Sequence, residues 1–475
     1  MAHKSPEGGL ILLPTRKFPK SRKLIMFLGD LIIISVAYII ATAIIFNSSL
    51  VISNISYYSG ILPLLAVLTV LLLNINGLYS LEYKVFAEIL LSLLVTNICT
   101  FVLMQALGAF FYESTVTAIV IALAIVFQMA GMIIWRHLFW RLECSLHECR
   151  SVLLIGSEEE CNHVYNRLRQ QPQLEMKLKY VCTELFDNEW QQAAAKVDVI
   201  LMCSEMRHSN KIKIINYCQK YGKQPLIIPN TFEIFCSGAK LDKIDDIPVF
   251  RLQSLHPSVE SRLLKRLLDV AVSGIGFICA LPFMIGTALA IKITDPGPII
   301  YSQIRTGKDG REFKVYKFRT MKVDAEKYSG PMLAQENDPR ITPTGRFLRA
   351  VRLDELPQIW NVLAGDMSIV GPRPERPFFV EKFTAETPEY AYRHNVKPGI
   401  TGLAQVYGKY NTTPLDKLVY DLMYIQRCNI ITDLIIIIQT VKVLFTKSAT
   451  EGTGVTQKKL DMKKYGIGKN IYGDF

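Results

Sequence analysis

Long apolar runs open the chain. Four of them, near residues 24–46, 57–75, 86–111 and 115–135, each approach the length an α-helix needs to cross a hydrocarbon core. They predict a membrane α-helical N-terminal bundle over residues 24–140, with four transmembrane helices. Asp30 interrupts the first run. A carboxylate is costly in lipid, so it faces either another helix or the membrane edge. Near residue 150 the pattern changes. SVLLIGS, VDVILMCS and QPLIIP predict buried strands, and they alternate with the helical segments EEECNHVYNRLRQ and SNKIKIINYCQKYGK. That alternation predicts a parallel, Rossmann-like α/β domain over residues 150–250. A dinucleotide fingerprint is missing. After the first strand only Gly156 stands, followed by Ser157 and three glutamates, Glu158 to Glu160, whose charge would repel a pyrophosphate.

A connector, residues 251–261, leads to RLLKRLLDV and then to VAVSGIGFICALPFMIGTALAI. The latter is long enough to span a bilayer. Pro282 sits near its middle with Gly274, Gly276 and Gly286 around it, and a proline removes a helix hydrogen bond. Lys265 and Arg266 precede the run and Lys292 follows it, so charge gives no preference for crossing. A kinked spanning helix and a hairpin that enters one leaflet and returns both satisfy the pattern. Further on, FKVYKFRTM (313–321) alternates as a strand and carries Lys314, Lys317 and Arg319; KPGITG (397–402) is a turn. CNIITDLIIIIQTVKVLF (428–445) is apolar but broken by Asp433, Gln439 and Lys442, which predicts an amphipathic helix lying on a membrane. The lysine-rich end, 447–475, reads as a loose tail.

Composition sharpens this picture. The chain has 475 residues, half of them hydrophobic, a mean hydropathy of +0.23 and a formal charge of +12. Two to four domains and a membrane setting follow. The positive charge suits an anionic membrane surface and phosphorylated substrates better than nucleic acid. Residues 1–23 form a basic tail with Lys4, Arg16, Lys17, Lys20, Arg22 and Lys23; Lys84 stands in the second loop, and Arg136, Arg141 and Arg150 follow the fourth run. The loops around 47–56 and 111–115 carry no Lys or Arg, so the positive-inside rule puts both ends of the bundle in the cytoplasm. The first run is too long for a signal peptide and lacks a clear cleavage site. The ten cysteines include no CxxC pair, and Cys144, His147 and Cys149 lack a second ligand pair, so reduced thiols are expected rather than a metal site.

Candidate chemistry concentrates in TGRFLRAVRLDELPQIWNVLAGDMSIVGPRP, residues 344–374. Residues 345–353 predict a short helix with Phe347, Leu348 and Val351 on one side and Arg346, Arg349 and Arg352 on another. Asp354 then reads as the N-cap of a second helix, 355–363, with Pro357 in its first turn and Gly365 ending it. That places Asp354 and Glu355 at the positive end of a helix, where anions are favoured. Arg373 stands between Pro372 and Pro374, on a stiff, non-helical segment. Two carboxylates beside a rigid arginine point to phosphoryl chemistry with a divalent metal. Taken one at a time, a helix cap and a solvated arginine face would explain the same residues.

Five motifs in order carry a resemblance: KRLLD (265–269), KFRTM (317–321), DPRITPTGRFLR (338–349), LDELPQIWNVLAGDMSIVGPRP (353–374) and KPGITG (397–402). With them, residues 262–446 resemble the bacterial sugar transferase family, the monotopic polyprenyl-phosphate hexose-1-phosphate transferases. The whole chain resembles its large subclass, which includes undecaprenyl-phosphate galactose and glucose phosphotransferases of capsule, exopolysaccharide and O-antigen synthesis. The resemblance implies an α-rich monotopic catalytic domain whose re-entrant membrane helix, 262–292, is broken at Pro282. It implies a multi-pass protein of the bacterial inner membrane, with the catalytic domain on the cytoplasmic face. The implied reaction moves a hexose-1-phosphate from a UDP-hexose to undecaprenyl phosphate and releases UMP. Asp354 would be the nucleophile and Glu355 its partner carboxylate, both near Mg2+. Arg373 and Arg349 would bind phosphate, with Lys317 and Arg319 of KFRTM beside them. The identity of the hexose stays open, and a homodimer is allowed. A catalytically inactive scaffold of polysaccharide assembly and a nucleotide-sugar dehydratase or epimerase are the competing readings. The first is opposed by the intact Asp354–Glu355 pair, the second by the missing glycine fingerprint.

Overall fold

A computed structural model describes residues 19–51, 60–79, 86–111, 115–146, 149–169, 176–183, 189–323, 338–408, 412–444, 460–461 and 465–467. Lys4, Arg16, Lys17, Lys84, His147 and most of the tail 447–475 lie outside the described residues. The chain divides into two compact units, Met1–Pro229 with Thr456–Phe475, and Asn230–Val455.

In the first unit the apolar runs form helices α1 (Pro19–Val51), α2 (Ile61–Ile75), α3 (Phe86–Phe111) and α4 (Thr115–Leu146). They pack around Ile34, Leu65, Leu93 and Met132, while Ile32, Val67, Val126 and Ile134 stay exposed. A bundle that is apolar inside and out belongs in a membrane. Helices α1, α3 and α4 each contain a segment long and apolar enough to cross one; α2 is shorter, at 15 residues. Asp30 faces another helix. Arg136 Nη2 donates to its Oδ2 at 2.7 Å, and both side chains are fully buried. The sequence pattern set Arg136 after the fourth run, as a cytoplasmic flank. It lies inside α4 instead, and its charge answers Asp30 rather than marking a side of the membrane.

The α/β part of this unit is a parallel sheet of five strands. Its order is Gly466–Ile467, Met176–Cys182, Arg150–Ile155, Val199–Met202, Gln224–Ile227. Two of these strands went unread in the sequence. Met176–Cys182 carries Lys177 and Lys179 among its apolar residues, and Gly466–Ile467 comes from the tail expected to be loose. Leu460 of that tail is buried in the core against the sheet. A Cβ at Gly156 would lie 2.4 Å from that of Cys203, so the glycine serves the close packing of two strand ends. Glu160 Oε1 accepts hydrogen bonds from the amides of Ser204 at 3.0 Å and Glu205 at 3.2 Å. An internal carboxylate from the first helical turn after the strand Arg150–Ile155 is thus tied to the amides that follow the neighbouring strand Val199–Met202.

The second unit begins with the helix Thr231–Ser237 and the antiparallel hairpin Lys240–Ile244 and Ile247–Arg251. A 36-residue helix, Val259–Thr294, follows and continues through Pro282. Its Ile275, Ile278, Phe283, Ile285 and Ile293 are all exposed. The strand expected in FKVYKFRTM is Glu312–Phe318, paired antiparallel with Ile300–Thr306, which the turn-rich sequence there did not announce. KPGITG is only partly a turn: Gly399–Thr401 pairs in parallel with Ser368–Val370. The last helix, Ile430–Leu444, leaves Ile431, Leu434 and Val441 exposed, as a surface helix would. Its Asp433 does not interrupt the apolar face. It is buried, taking Lys265 Nζ at 2.6 Å and the Tyr424 hydroxyl at 2.8 Å.

Two outcomes follow. Asp30→Ala strands a buried guanidinium and should cost about 3–5 kcal/mol, whereas Asp30→Leu with Arg136→Met should melt near the wild type. Thermal unfolding in detergent checks both. The purified protein should also leave NADH fluorescence unchanged at micromolar protein; a saturable change would contradict the reading drawn from the missing glycine fingerprint.

Candidate active site

The helix before the carboxylate pair runs Pro343–Ala350, capped by Thr342, whose Oγ1 accepts from the amide of Gly345 at 3.0 Å. It ends sooner than expected because Arg352 takes a left-handed conformation, φ 57, which no α-helix continues through. Asp354 and Glu355 then fall in a 3-10 turn, Leu353–Glu355. The next helix is Gln358–Ala364, with Pro357 at its N-cap and Gly365, at φ 98, closing it. Pro357 has no N–H to give the carbonyl of Leu353, so regular α-helical bonding starts only beyond it. Asp354 is therefore not the cap of that helix. The pair lies one turn upstream, and its electrostatics come from side chains.

Those side chains converge on Glu355. Its Oε1 accepts from Lys317 Nζ at 2.7 Å and from Arg373 Nη2 at 2.7 Å. Lys317 comes from the strand Glu312–Phe318 and Arg373 from the GPRP segment, so three stretches distant in sequence meet on one oxygen. Asp354 is buried, with 8% of its surface exposed. Among the described residues neither of its oxygens, nor Glu355 Oε2, accepts a hydrogen bond. Burial, and then the charge of Glu355, push the Asp354 carboxyl above its usual range, against Lys317, Arg349 and Arg373. Burial acts the same way on Glu355, but Arg373 and Lys317 together outweigh it and hold that carboxyl well below the usual range. Burial lowers Lys317 despite Glu355, while Glu355 raises Arg373. Adjacent carboxyls pushed in opposite directions are the mark of two different roles.

The other residues singled out from the sequence are not all here. Arg349 Nε donates to Thr320 Oγ1 at 2.9 Å, and its charge is felt at Asp354. Arg319 stands elsewhere. Its guanidinium pairs with Asp295 at 3.3 Å, beyond the end of the long helix, and also donates to the Asp295 carbonyl. Strand alternation would set Arg319 beside Lys317, but the strand Glu312–Phe318 stops one residue short of it. Pro282 lies in the middle of the long helix, between the exposed Leu281 and Phe283.

Several further residues hold the site together. Asn361, fully buried, accepts from the amide of Tyr316 at 3.1 Å and donates to the carbonyl of Lys314 at 2.7 Å. It clips the strand bearing Lys317 to the helix that follows the pair. Asp269 accepts from Ser368 Oγ and the amide of Ile369, both at 2.9 Å, and Lys265 donates to the carbonyl of Val370 at 2.8 Å. Asn361, a polar residue amid the apolar IWNVL, was the visible signal for the first. KRLLD contained the other two.

A family model described as bacterial sugar transferase matches residues 260–447. Over 207 residues the chain is 42% identical to the UDP-N-acetylgalactosamine-undecaprenyl-phosphate N-acetylgalactosaminephosphotransferase of Aeromonas hydrophila, covering 43% of this chain and 49% of that protein. Over 345 residues it is 34% identical to the UDP-glucose:undecaprenyl-phosphate glucose-1-phosphate transferase of Escherichia coli (strain K12), covering 65% of this chain and 74% of that one. A protein of the same description from Klebsiella pneumoniae is 35% identical over 321 residues, covering 63% and 69%. The chain thus spans about half the length of the first relative and more than two thirds of the other two.

The geometry around Glu355 predicts an acid-side dependence of stability. Its folded pKa lies below the unfolded value of about 4.3. The stabilisation is therefore complete above that value and lost as pH falls towards the folded one. Arg373→Met should raise the Glu355 carboxyl and weaken this dependence, read from its infrared carboxylate band and from melting between neutral and acid pH.

Proposed function

The chain belongs to the bacterial sugar transferase family, and on that premise we propose that it transfers a hexose-1-phosphate from a UDP-hexose to undecaprenyl phosphate, the step that starts assembly of a surface polysaccharide. The observation that carries this reading is the pair itself: Asp354, buried and without a hydrogen bond among the described residues, beside Glu355, which two cations hold ionised. An unengaged carboxylate is a nucleophile in waiting, and a covalent route divides one difficult displacement into two. In the first step an Asp354 oxygen attacks the β-phosphorus of the UDP-hexose. The bond from that phosphorus to the bridging oxygen breaks, UMP leaves with the oxygen, and Asp354 carries the phosphosugar. In the second, an oxygen of undecaprenyl phosphate attacks the same phosphorus and frees the Asp354 carboxylate. Arg373 and Lys317 lie where they can share their positive charge between Glu355 and the phosphate oxygens, and Arg349 adds to the field at Asp354.

Mg2+ fits the residues present. It binds through one or two carboxylates together with substrate phosphates rather than in an all-protein cage. The oxygens of Asp354 and Oε2 of Glu355 are the ones open to it. When bound, it would neutralise diphosphate charge.

The long helix is proposed as a re-entrant element. Near its start Arg266 donates to the carbonyls of Val362 and Leu363, and near its end Ile291 packs with Leu348 and Phe318 while Thr294 meets Thr344. A straight helix would hold Arg266 and Ile291 about 37 Å apart, yet both rest on the same unit. A bend at Pro282 lets the exposed apolar middle dip into one leaflet and keeps the catalytic unit on the cytoplasmic side of the inner membrane, where UDP-sugars are made. The parallel α/β sheet is proposed as a Rossmann-like domain without a dinucleotide. A dehydratase or epimerase is disfavoured, because a single Gly156 followed by three glutamates stands where its glycine fingerprint would be.

Labelled UMP should exchange into UDP-hexose without any lipid, because the first step reverses, and the enzyme should retain phosphosugar on Asp354. Asp354→Asn keeps the size and removes the nucleophile, so exchange and covalent labelling should vanish together. Appreciable exchange by that variant, or an adduct on Glu355, would refute the assignment. Arg373→Lys should fold yet lose most turnover, since a point charge lacks the guanidinium fork.

A further inference from the structure

The GPRP segment is anchored in an unusual way. Pro372 and Pro374 have no N–H, so the segment on either side of Arg373 cannot be tied down by donating. Its carbonyls do the work instead. Four in succession each accept a hydrogen bond from a different residue. Gly399 N donates to Pro372 at 2.9 Å, Arg393 Nη2 to Arg373 at 2.9 Å, Arg305 Nη1 to Pro374 at 3.1 Å and Thr306 N to Glu375 at 2.9 Å. Only one of these bonds falls on the residue that grips Glu355, and its donor is deeply buried. Arg393 is 5% exposed and forms an ion pair at 2.9 Å with Asp421, itself 2% exposed. Its guanidinium lies over the Tyr390 ring, 4.7 Å from the centroid, and also donates to the Tyr390 hydroxyl.

From this arrangement we propose that Arg393, aimed by Asp421 and Tyr390, is a positioning residue for Arg373. A planar guanidinium held on three sides offers its remaining direction to one acceptor, the Arg373 carbonyl, and so fixes where the Arg373 side chain starts. A buried ion pair stabilises a fold little compared with apolar residues of the same volume. The pair therefore has its effect on geometry: Arg373 reaches Glu355, and a phosphate beside it, only from this backbone position. The role at the phosphate rests on the function proposed above, whereas the hold on Glu355 does not.

The test replaces the pair by apolar groups, Arg393→Met with Asp421→Leu, which should keep the fold and remove the tie. Melting confirms folding. The stabilising coupling between Arg373 and Glu355, read from the melting of Arg373→Met, Glu355→Gln and their combination, should then shrink, a readout independent of turnover. UMP release should fall by roughly 10- to 100-fold, the cost of a small displacement of a catalytic group. In an Arg373→Lys background the same replacement should cost less than about twofold, because the residue being positioned is already lost. An unchanged coupling, wild-type turnover, or an equal loss in both backgrounds would overturn the proposal. If the double replacement does not fold, Arg393→Lys keeps a charge for Asp421, loses the fork, and decides the matter by the same two cycles. A wild-type protein that releases no UMP from any UDP-hexose would refute the proposed function alone, since the melting cycle still reports on positioning.

Discussion

One carboxylate oxygen organises the catalytic unit. Glu355 Oε1 takes both Lys317 and Arg373, and a buried carboxylate is tolerated only when its charge is met in this way. Each cation must then arrive on something rigid. Lys317 comes on a strand clipped by Asn361, and Arg373 on a segment whose carbonyls are bonded one after another. By absorbing those charges Glu355 leaves Asp354 with its lone pairs free. The two neighbours in sequence thereby acquire opposite electrostatics, one stabilised as an anion and one raised by burial.

The same economy recurs where the chain meets lipid. The long helix buries little of itself: its apolar residues point outward, while Lys265, Arg266 and Asp269 tie it to the rest of the second unit through carbonyls, an amide and a hydroxyl. Polar residues inside an otherwise apolar helix thus serve as attachment points. Asp30 and Arg136 do the same within the N-terminal bundle, where lipid offers neither of them an alternative partner.

Much of this was legible in the sequence because it is written locally. Hydrophobic run length announced the bundle and the long helix. The alternation of apolar and helical segments announced the parallel sheet, and five ordered motifs announced the family. The candidate pair Asp354 and Glu355 could also be singled out, since carboxylates between an arginine-rich helix and a proline-locked arginine are unusual. Local patterns misled where the backbone departed from regularity. Arg352 enters the left-handed region and Pro357 delays the next helix, so the expected helix start at Asp354 became a 3-10 turn.

Beyond that, only the tertiary structure decided which charges meet. Lys317 and Arg319 are two residues apart, yet one reaches Glu355 and the other Asp295, because the strand ends between them. Arg136 looked like a flank and is the partner of Asp30; Asp433 looked like a surface break and is the buried partner of Lys265. Arg393 had no signature at all. The physical reason is common to these cases. Sequence by itself determines periodicity and local stiffness, which are properties of neighbouring residues. The partner of a buried charge is set by which distant segments packing brings within about 3 Å, and no local pattern encodes that choice.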